Sequence, residues 1–187
     1  MTSVLVPIAD GTEEMEAVII VDVLRRAGAE VCVASVMANR KTIKASRGVK
    51  IEADYLLAEC PHDKWSLIAL PGGMPGAEHL QQSVELMTII QNQLEAQRWL
   101  AAICAAPAVV LGRHNLLTRF NATCHPAFRQ ELSRYAETVS DDAVVIDKHL
   151  ITSQGAGTAM LFALTLVAKL FDDQKATEIA AGMVVNR

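Results

Sequence analysis

The sequence is poor in aromatic residues, which make up 4% of its 187 residues although 51% are hydrophobic. A core with this composition consists mostly of Ala, Val, Leu and Ile, which suits helices that cover a parallel sheet better than an aromatic-rich sandwich of two sheets. The chain is long enough for one domain with a sizeable core and is short for two. We therefore expect a single α/β domain that spans residues 1–187.

The sequence also lacks a long apolar run, a basic run and a CxxC pair. Its most apolar later stretch, MLFALTLVAKLF, is broken by Lys169 and is too short to span a bilayer, so we expect no membrane partner. The net charge is −4 without a cluster of basic residues, which argues against nucleic acid as a specific partner. The amino-terminal residues do not read as a signal peptide, so the four cysteines are expected to be free thiols in a cytoplasmic protein.

Short apolar runs alternate with longer amphipathic runs along the whole chain. Repeated strand–helix units of this kind predict a doubly wound, mostly parallel sheet between helices, with sites at the carboxyl ends of the strands. No internal repeat or linker divides the chain. The predicted strands are 4–8, 30–36, 66–70 and 99–103, with a hairpin of 144–146 and 150–152, and the predicted helices are 13–27, 77–97, 105–111, 158–171 and 175–184.

Two of the predicted strands run directly into turns of small residues. Gly72 and Gly73 follow the third strand, and Cys104 and Ala105 follow the fourth. Because both turns lie at the same edge of the sheet, their backbone N–H groups can face one crevice and stabilise an oxyanion there. A glycine-rich turn that only reverses the chain explains Gly72 and Gly73 equally well. The segment GGMPGA matches neither the dinucleotide fingerprint nor the P-loop pattern, so no nucleotide cofactor is expected.

Cys104 is the candidate nucleophile. Its neighbours are small, as a tight and strained strand-to-helix turn requires, and Pro107 suits the first turn of a helix. The positive end of the helix dipole favours a thiolate, so we expect the pKa of this thiol to be lowered. A thiolate is the form that attacks carbon centres or is oxidised. The alternative is an inert buried cysteine, which is what most free cysteines are.

Glu16 is the acid that we expect within hydrogen-bond reach of this thiol. In the predicted helix 13–27 it heads an apolar stripe that continues through Ile20 and Val23, whereas Glu14 lies on the wetter side. A carboxyl group on a core-facing stripe is costly unless it is protonated or paired, so its pKa should be raised. A protonated Glu16 can donate a hydrogen bond to a thiolate or carry protons. The alternative is an acid that only complements the helix dipole.

The motifs GTEEMEA, LPGG, AAICAAP, CHP and SQGAGT, in this order and spacing, resemble the ThiJ/PfpI superfamily. More narrowly, they resemble the branch that holds the parkinsonism-associated protein deglycase and bacterial YajL. The resemblance covers nearly the whole chain and implies a flavodoxin-like sandwich, a homodimer and a reactive cysteine held by a protonated glutamate. Matched motif by motif, the cysteine is Cys104, the glutamate is Glu16, the oxyanion-type N–H groups are those of Gly73 and Ala105, and the nearby histidine is His125.

One departure from the superfamily limits the chemistry that we expect. Members that resemble intracellular proteases carry a histidine directly after the nucleophile, and Ala105 occupies that position here, so peptidase activity is not expected. His125 could substitute for the missing histidine, or it could be a satisfied histidine in a turn. We expect no metal and no cofactor, because no structural zinc spacing fits the available candidates: Cys60, His62, Cys124 and His125.

Two classes of function remain open. In the first, the Cys104 thiolate attacks an aldehyde or hemithioacetal carbon while Glu16 moves protons. The resemblance implies methylglyoxal-type substrates, either free, as for a glutathione-independent glyoxalase, or attached to proteins and nucleotides, as for a deglycase that protects against oxidative stress. In the second, the protein is a redox-sensing chaperone whose Cys104 is oxidised to sulfinate. With either function, mild peroxide should modify Cys104 before Cys32, which lies inside an apolar strand.

The first predicted helix is apolar over more than one face. Met15, Val18 and Val21 cannot all turn toward the sheet that its core stripe covers, and soluble proteins usually bury such a patch against a partner. In the resembling family the segment around Arg47 lies at a two-fold interface. We therefore expect a homodimer in which Glu13 of one subunit pairs with Arg47 of the other and Met15 lies between the subunits. The alternative is that Val18 and Val21 pack under a loop.

Overall fold

The strands predicted from the sequence assemble into one central sheet. The computed structural model describes residues 2–62 and 64–186, and in this part of the chain the central sheet has seven strands and two smaller sheets have two strands each. The strands are β1 (Ser3–Ile8), β2 (Glu30–Ser35), β3 (Thr42–Lys44), β4 (Lys50–Glu52), β5 (Tyr55–Leu56), β6 (Leu67–Leu70), β7 (Trp99–Ile103), β8 (Asn121–Ala122), β9 (Thr138–Val139), β10 (Val144–Asp147) and β11 (Leu150–Ser153).

The order of strands in the central sheet is β10-β11-β7-β6-β1-β2-β5. Every neighbouring pair is parallel except β10 and β11, which form an antiparallel hairpin at one edge. Along β1, Val4 and Val6 pack into one core and Leu5 into the other, and all three are fully buried. A strand that is apolar on both faces is typical of a sheet with helices on both sides. The predicted single-domain α/β class with a mostly parallel sheet is therefore confirmed.

Helical segments supply the two outer layers of the molecule. No helix in residues 2–62 and 64–186 is both long and apolar enough to cross a membrane. The α-helices are α1 (Glu14–Arg26), α2 (Gly76–Gln82), α3 (Val84–Glu95), α4 (Arg129–Leu132), α5 (Ala159–Leu170) and α6 (Asp173–Gly182), with a π-helical turn at Pro107–Leu111 and 3₁₀ turns at Leu57–Glu59, Gly112–His114, Pro126–Phe128 and Ala156–Thr158.

The two layers bury separate hydrophobic cores. Helices α1, α5 and α6 pack together over one face of the sheet, where Phe162 of α5 is among the largest fully buried side chains. Helices α2 and α3 and the π-helical turn cover the other face. The carboxyl ends of β1, β6 and β7 lie side by side between these layers, so the turns that follow them meet at one edge of the sheet.

Two predicted helices differ from the structure. The predicted helix 77–97 is broken at Ser83, whose backbone is extended and whose side-chain oxygen accepts a hydrogen bond from the N–H of Leu86 at 3.3 Å, so that it caps α3. The predicted helix 105–111 is instead the short π-helical turn Pro107–Leu111, followed at once by a 3₁₀ turn. The segment after Cys104 is therefore helical as predicted, but it forms a π-helical turn and a 3₁₀ turn rather than a regular α-helix.

Candidate functional site

Cys104 occupies the turn directly after β7. Its φ of 65° lies in the left-handed region, which costs a residue with a side chain roughly 1–2 kcal/mol. Two backbone hydrogen bonds hold this conformation: the N–H of Cys104 donates to the carbonyl of Ser153 at 3.0 Å, and its carbonyl accepts from the N–H of His125 at 2.8 Å. The predicted strained conformation is confirmed, and the strain is supported from β11 and from the segment after β8.

Gly72 and Gly73 bring the turn after β6 against Cys104. A Cβ on Gly72 would lie 2.6 Å from the Cβ of Cys104, and a Cβ on Gly73 would lie 2.4 Å from the carbonyl oxygen of Gly11. Gly73 also has a φ of 87°, which favours glycine. A side chain at Gly72 would displace the backbone beside the thiol, and a side chain at Gly73 would displace the backbone of residues 11–13, just before α1. These glycines therefore do more than reverse the chain, because the close packing of the site requires them.

Glu16 lies in the first turn of α1 and is fully buried. One carboxyl oxygen, Oε2, accepts a hydrogen bond from the N–H of Gly72 at 2.7 Å. Burial raises the pKa of this carboxyl group to about 7, against smaller lowering effects from the Gly72 N–H and the Cys104 thiol. The prediction of a raised pKa is confirmed, so Glu16 keeps its proton to a higher pH than an ordinary carboxylic acid.

The second oxygen of Glu16, Oε1, is buried without a conventional hydrogen-bond partner in the described part of the chain. The Cys104 thiol lies next to this carboxyl group, since each of the two groups shifts the pKa of the other. An unpaired buried carboxyl oxygen is costly. The free oxygen therefore remains available to exchange a proton with the thiol or with a molecule bound to it.

The pKa of Cys104 is raised rather than lowered, so the sequence-based prediction was wrong in direction. Burial is the largest cause, the charge of Glu16 is the second, and together they raise the pKa to about 12. The N–H groups of Gly73 and Ala105 act in the opposite direction, as the motif match implied. The contribution of Glu16 depends on its own charge, so it disappears when the carboxyl group is protonated. The two groups therefore titrate as a pair.

Of the three backbone N–H groups that the sequence analysis assigned to an oxyanion, one has a different role in the structure. Gly73 and Ala105 direct their N–H groups toward the sulfur of Cys104, whereas the N–H of Gly72 is already occupied by Glu16. Gly72 positions the acid and is not free to hold an oxyanion. The sequence could not distinguish these roles, because adjacent glycines carry no side chain that marks the direction of each N–H.

His125 lies beside the site and is exposed. Its backbone N–H bonds to Cys104, while its Nδ1 accepts from the N–H of Ala127 at 3.2 Å and caps the 3₁₀ turn that begins at Pro126. This geometry favours the satisfied turn histidine of the two alternatives. The neighbouring Cys124 is buried, and burial raises its pKa to about 12. In residues 2–62 and 64–186, no group of three or more His, Cys, Asp or Glu side chains could hold a metal ion.

The face of α1 that the sequence assigned to a dimer is open. Met15 and Val18 are 55% and 52% exposed, so Val18 does not pack under a loop in this chain. Val21 is partly buried and packs against the core. Glu14, which we expected on the wetter side, is buried and accepts hydrogen bonds from the Ser46 hydroxyl at 2.7 Å and the Arg47 N–H at 2.8 Å. Glu14 thereby holds the turn between β3 and β4 against the start of α1, which brings Arg47 to the edge of the apolar face.

The contact between the thiols of Cys32 and Cys60 was not predicted from the sequence. The sulfur atoms of Cys32 and Cys60 lie 3.2 Å apart at the other edge of the sheet. These residues are 28 positions apart and form no short motif, so only the pairing of β2 with β5 reveals their proximity. All four cysteines are free thiols in this structure.

Comparisons with known proteins identify relatives of this chain. The model of the family described as DJ-1/PfpI matches residues 2–169. The chain is 39% identical to Protein dj-1beta of Drosophila melanogaster over 98% of this chain and 97% of that protein. It is 31% identical to the glutathione-independent glyoxalase DJR-1.2 of Caenorhabditis elegans, over 94% of this chain and 91% of that protein.

Two further matches bear on length and fold. Protein DJ-1 homolog B of Arabidopsis thaliana is 43% identical over 97% of this chain, and the chain spans 41% of that longer relative. The solved structure of oxidised Toxoplasma gondii DJ-1 superposes with a TM-score of 0.94 at 39% identity, and the match covers 100% of both chains. The flavodoxin-like sandwich implied by the sequence motifs is therefore the fold of this chain.

Proposed function

The chain belongs to the DJ-1/PfpI family, and from this membership and the geometry around Cys104 we propose that it is a cysteine-dependent enzyme acting on small dicarbonyls. The substrates are of the methylglyoxal kind, either free or as adducts on proteins and nucleotides, and the product is lactate. In the first case the protein is a glutathione-independent glyoxalase, and in the second a deglycase. The name of the Caenorhabditis elegans relative supports the first.

The observation that carries this proposal is the fully buried Glu16 carboxyl group, whose pKa of about 7 leaves it able both to give and to take a proton at neutral pH. A general acid–base group works best when its pKa lies near the operating pH. The adjacent Cys104 thiol supplies the nucleophile, and its strained turn holds the sulfur at the edge of the sheet. A carboxyl group is costly to bury, and its position beside the thiol supports a role in proton transfer.

The reaction on free methylglyoxal follows from these groups. The Glu16 carboxylate takes the proton of the Cys104 thiol as the sulfur adds to the aldehyde carbon. It then gives this proton to the aldehyde oxygen, which yields a hemithioacetal and restores the carboxylate. That carboxylate removes the hydrogen from the same carbon and returns it to the neighbouring ketone carbon, while a proton moves between the two oxygens. The result is a lactoyl thioester on Cys104. Water cleaves the thioester, releases lactate and restores the thiol.

The N–H groups of Gly73 and Ala105 have a defined part in the last step. Hydrolysis of the thioester passes through a tetrahedral intermediate with a negatively charged oxygen on the carbon bonded to Cys104. Both N–H groups already face the sulfur, so they lie close to this oxygen and can stabilise its charge. His125 has a smaller part in this mechanism, because its Nδ1 is engaged in capping the 3₁₀ turn.

The test of this proposal is lactate formation from methylglyoxal in glutathione-free buffer. We expect the wild type to form lactate and Cys104→Ala to lose activity by about 10³-fold or more, because the variant lacks the nucleophile. Cys60→Ser is the matched control, since it also removes one thiol but leaves the site around Cys104 untouched. Full activity in Cys104→Ala, or equal losses in both variants, would contradict the proposal.

The donors around the sulfur also support a second candidate, a redox-sensing chaperone. The N–H groups of Gly73 and Ala105 and a protonated Glu16 could together hold the two oxygens of a Cys104 sulfinate. Oxidation of the thiol does not require proton transfer to carbon. An absence of lactate formation together with peroxide-dependent protection of a client protein from aggregation would therefore favour this function over the enzyme.

The proposal includes a homodimer built on the open face of α1. Its support is the exposure of Met15 and Val18, joined by Val49, which is 51% exposed. Arg47 is exposed at the edge of this face, and no salt bridge engages its guanidinium group within the described chain, so it is free to meet Glu13 of a second copy. Light scattering at micromolar concentration should give twice the chain mass of 20.2 kDa.

Arg47→Glu should weaken this dimer, because it places a second acid opposite Glu13. Arg134→Glu makes the same change of charge at an exposed position outside that face and should leave the mass unchanged. A wild-type monomer, or equal behaviour of the two variants, would refute the predicted interface.

A further inference from the structure

We propose that Cys32 and Cys60 form a reversible intramolecular disulfide, a redox-active site separate from Cys104. Cys32 lies within β2 and is buried, whereas Cys60 is partly exposed and ends the 3₁₀ turn Leu57–Glu59 that follows β5. The two sulfur atoms are 3.2 Å apart, within hydrogen-bond contact. A disulfide bond is about 2.05 Å long, so the sulfurs need to approach each other by about 1 Å.

The position of Cys60 permits this approach. The parallel pairing of β2 with β5 covers Ala34 with Tyr55 and Ser35 with Leu56, and it ends before Cys60. The Cys60 side chain therefore belongs to a turn at the sheet edge rather than to a hydrogen-bonded ladder. Its N–H is held by the carbonyl of Leu57 at 3.2 Å, so the main chain stays in place while the side chain turns toward Cys32.

The contact between the thiols also gives each of them a different role in the oxidation. The hydrogen bond from Cys32 lowers the pKa of Cys60, and the same contact raises the pKa of Cys32. Cys60 is therefore the sulfur that loses its proton more readily and attacks an oxidant. It lines a surface cavity together with His62 and Glu85, through which a molecule as small as hydrogen peroxide can reach it. Cys32 then acts as the resolving thiol from inside the sheet.

The chemistry is a two-electron oxidation with hydrogen peroxide as the oxidant. The Cys60 thiolate attacks one peroxide oxygen, a sulfur–oxygen bond forms, the oxygen–oxygen bond breaks, and the departing hydroxide takes up a proton as water. The Cys32 sulfur then attacks the sulfur of the Cys60 sulfenic acid. The sulfur–sulfur bond forms and the sulfur–oxygen bond breaks, and the hydroxide leaves as water with the Cys32 proton. A dithiol reductant restores both thiols by exchange.

The bond has a mechanical consequence for the sheet edge. It links β2 to the segment after β5, a strand of two residues that holds that edge through a short pairing. Because the closed loop joins residues that are 28 positions apart, the oxidised chain has fewer unfolded conformations than the reduced one. We expect the oxidised form to melt about 5–10 °C higher than the reduced form.

The sequence offers a clean assay, because trypsin places each cysteine on its own peptide: 27–40 for Cys32, 51–64 for Cys60, 99–113 for Cys104 and 120–129 for Cys124. The native full chain is treated with limiting hydrogen peroxide, its remaining thiols are alkylated after denaturation, and the digest is examined by mass spectrometry. We expect a linked pair of the peptides 27–40 and 51–64 that dithiothreitol separates. Oxygen atoms retained on Cys104 are a different product and do not bear on this pair.

Two variants make the test decisive. Cys60→Ser should lose the linked peptides and the rise in melting temperature, while Cys124→Ser, which removes a thiol at 0% exposure elsewhere in the fold, should keep both. Because Cys104→Ser lacks the proposed catalytic thiol, survival of the linked peptides in that variant separates this site from the enzyme activity. Cys60 recovered with added oxygens and no link to Cys32, or links among other cysteines in similar amounts, would overturn the proposal.

Discussion

The two partly exposed thiols of this chain differ in the group that each one touches. Cys104 lies in a strained turn beside the Glu16 carboxyl group, and in the described residues no second sulfur lies within bonding reach of it. Cys60 lies in a relaxed turn, where its closest chemical partner is the sulfur of Cys32. A carboxyl neighbour supplies protons, which suits addition to a carbonyl group, whereas a thiol neighbour supplies electrons, which suits formation of a disulfide. The neighbour, rather than the thiol itself, therefore decides the chemistry.

Among the tests of this difference between the two thiols, Glu16→Gln should have the largest effect, and the measured quantity is lactate formation. Glutamine keeps an acceptor oxygen for the N–H of Gly72 but cannot transfer a proton, so lactate formation should fall by about 10²–10⁴-fold. Peroxide oxidation at the Cys32–Cys60 pair should be unchanged in the same variant. Activity within a factor of a few of wild type would show that Glu16 is not the proton carrier.

Gly72→Ala tests the close packing of the first site. Its new Cβ would lie 2.6 Å from the Cβ of Cys104 and 2.9 Å from the nitrogen of Ala105, so the turn must shift. We expect a loss of about 1–3 kcal/mol in the free energy of unfolding, and a loss of lactate formation in the protein that remains folded. Gly182→Ala is the control, because its Cβ would meet nothing within 4 Å. Similar behaviour of the two variants in chemical denaturation would contradict the packing argument.

The raised pKa of Glu16 makes the stability of the protein depend on pH. Between the ordinary value of 4.5 and about 7, the unfolded chain loses the proton while the folded chain keeps it, so stability falls as the pH rises through this window. The full shift corresponds to about 3 kcal/mol. When the pH is raised from 5 to 8, the unfolding free energy of the wild type should therefore fall by about 2–3 kcal/mol relative to that of Glu16→Gln. A constant difference would mean that Glu16 titrates normally.

The smallest expected effect is a difference in alkylation rate. Burial raises the pKa of Cys104 to about 12, whereas the hydrogen bond from Cys32 lowers that of Cys60. Iodoacetamide at neutral pH should therefore label the peptide 51–64 before the peptide 99–113 in the reduced protein. Faster labelling of Cys104 would show that its thiolate is populated more than its burial allows, and it would weaken the contrast between the two sites.

Much of the fold was readable from the sequence, because its long elements have strong periodicity. The strand 99–103 matches β7 residue for residue, and the buried stripe of α1 from Glu16 through Ile20 and Val23 is as predicted. The short strands β3, β4, β5, β8 and β9 were missed, since two or three residues are too few to show an alternation. The break at Ser83 was missed because a serine side chain can either cap a helix or face solvent within one.

The candidate site, like the fold, could be predicted only in part from the sequence. The sequence predicted that Cys104 and Glu16 meet, because one follows a buried strand and the other interrupts an apolar stripe. The direction of the Cys104 pKa could not be predicted, since it depends on whether burial or the local N–H groups dominate at one atom. The Cys32–Cys60 contact depends on the pairing of β2 with an edge strand of two residues, which leaves no local signal in the sequence.

The central claim is that Glu16 carries a proton beside Cys104 at neutral pH, and its most direct test is a titration of the glutamate carboxyl carbons by NMR. In protein with carbon-13 at these carbons, the resonance that is missing from Glu16→Gln identifies Glu16. We predict that this resonance titrates with a pKa of about 7, well above the ordinary value of 4.5. A Glu16 resonance that titrates near 4.5 would contradict the account, because the carboxyl group would then be fully ionised at neutral pH and could not donate a proton.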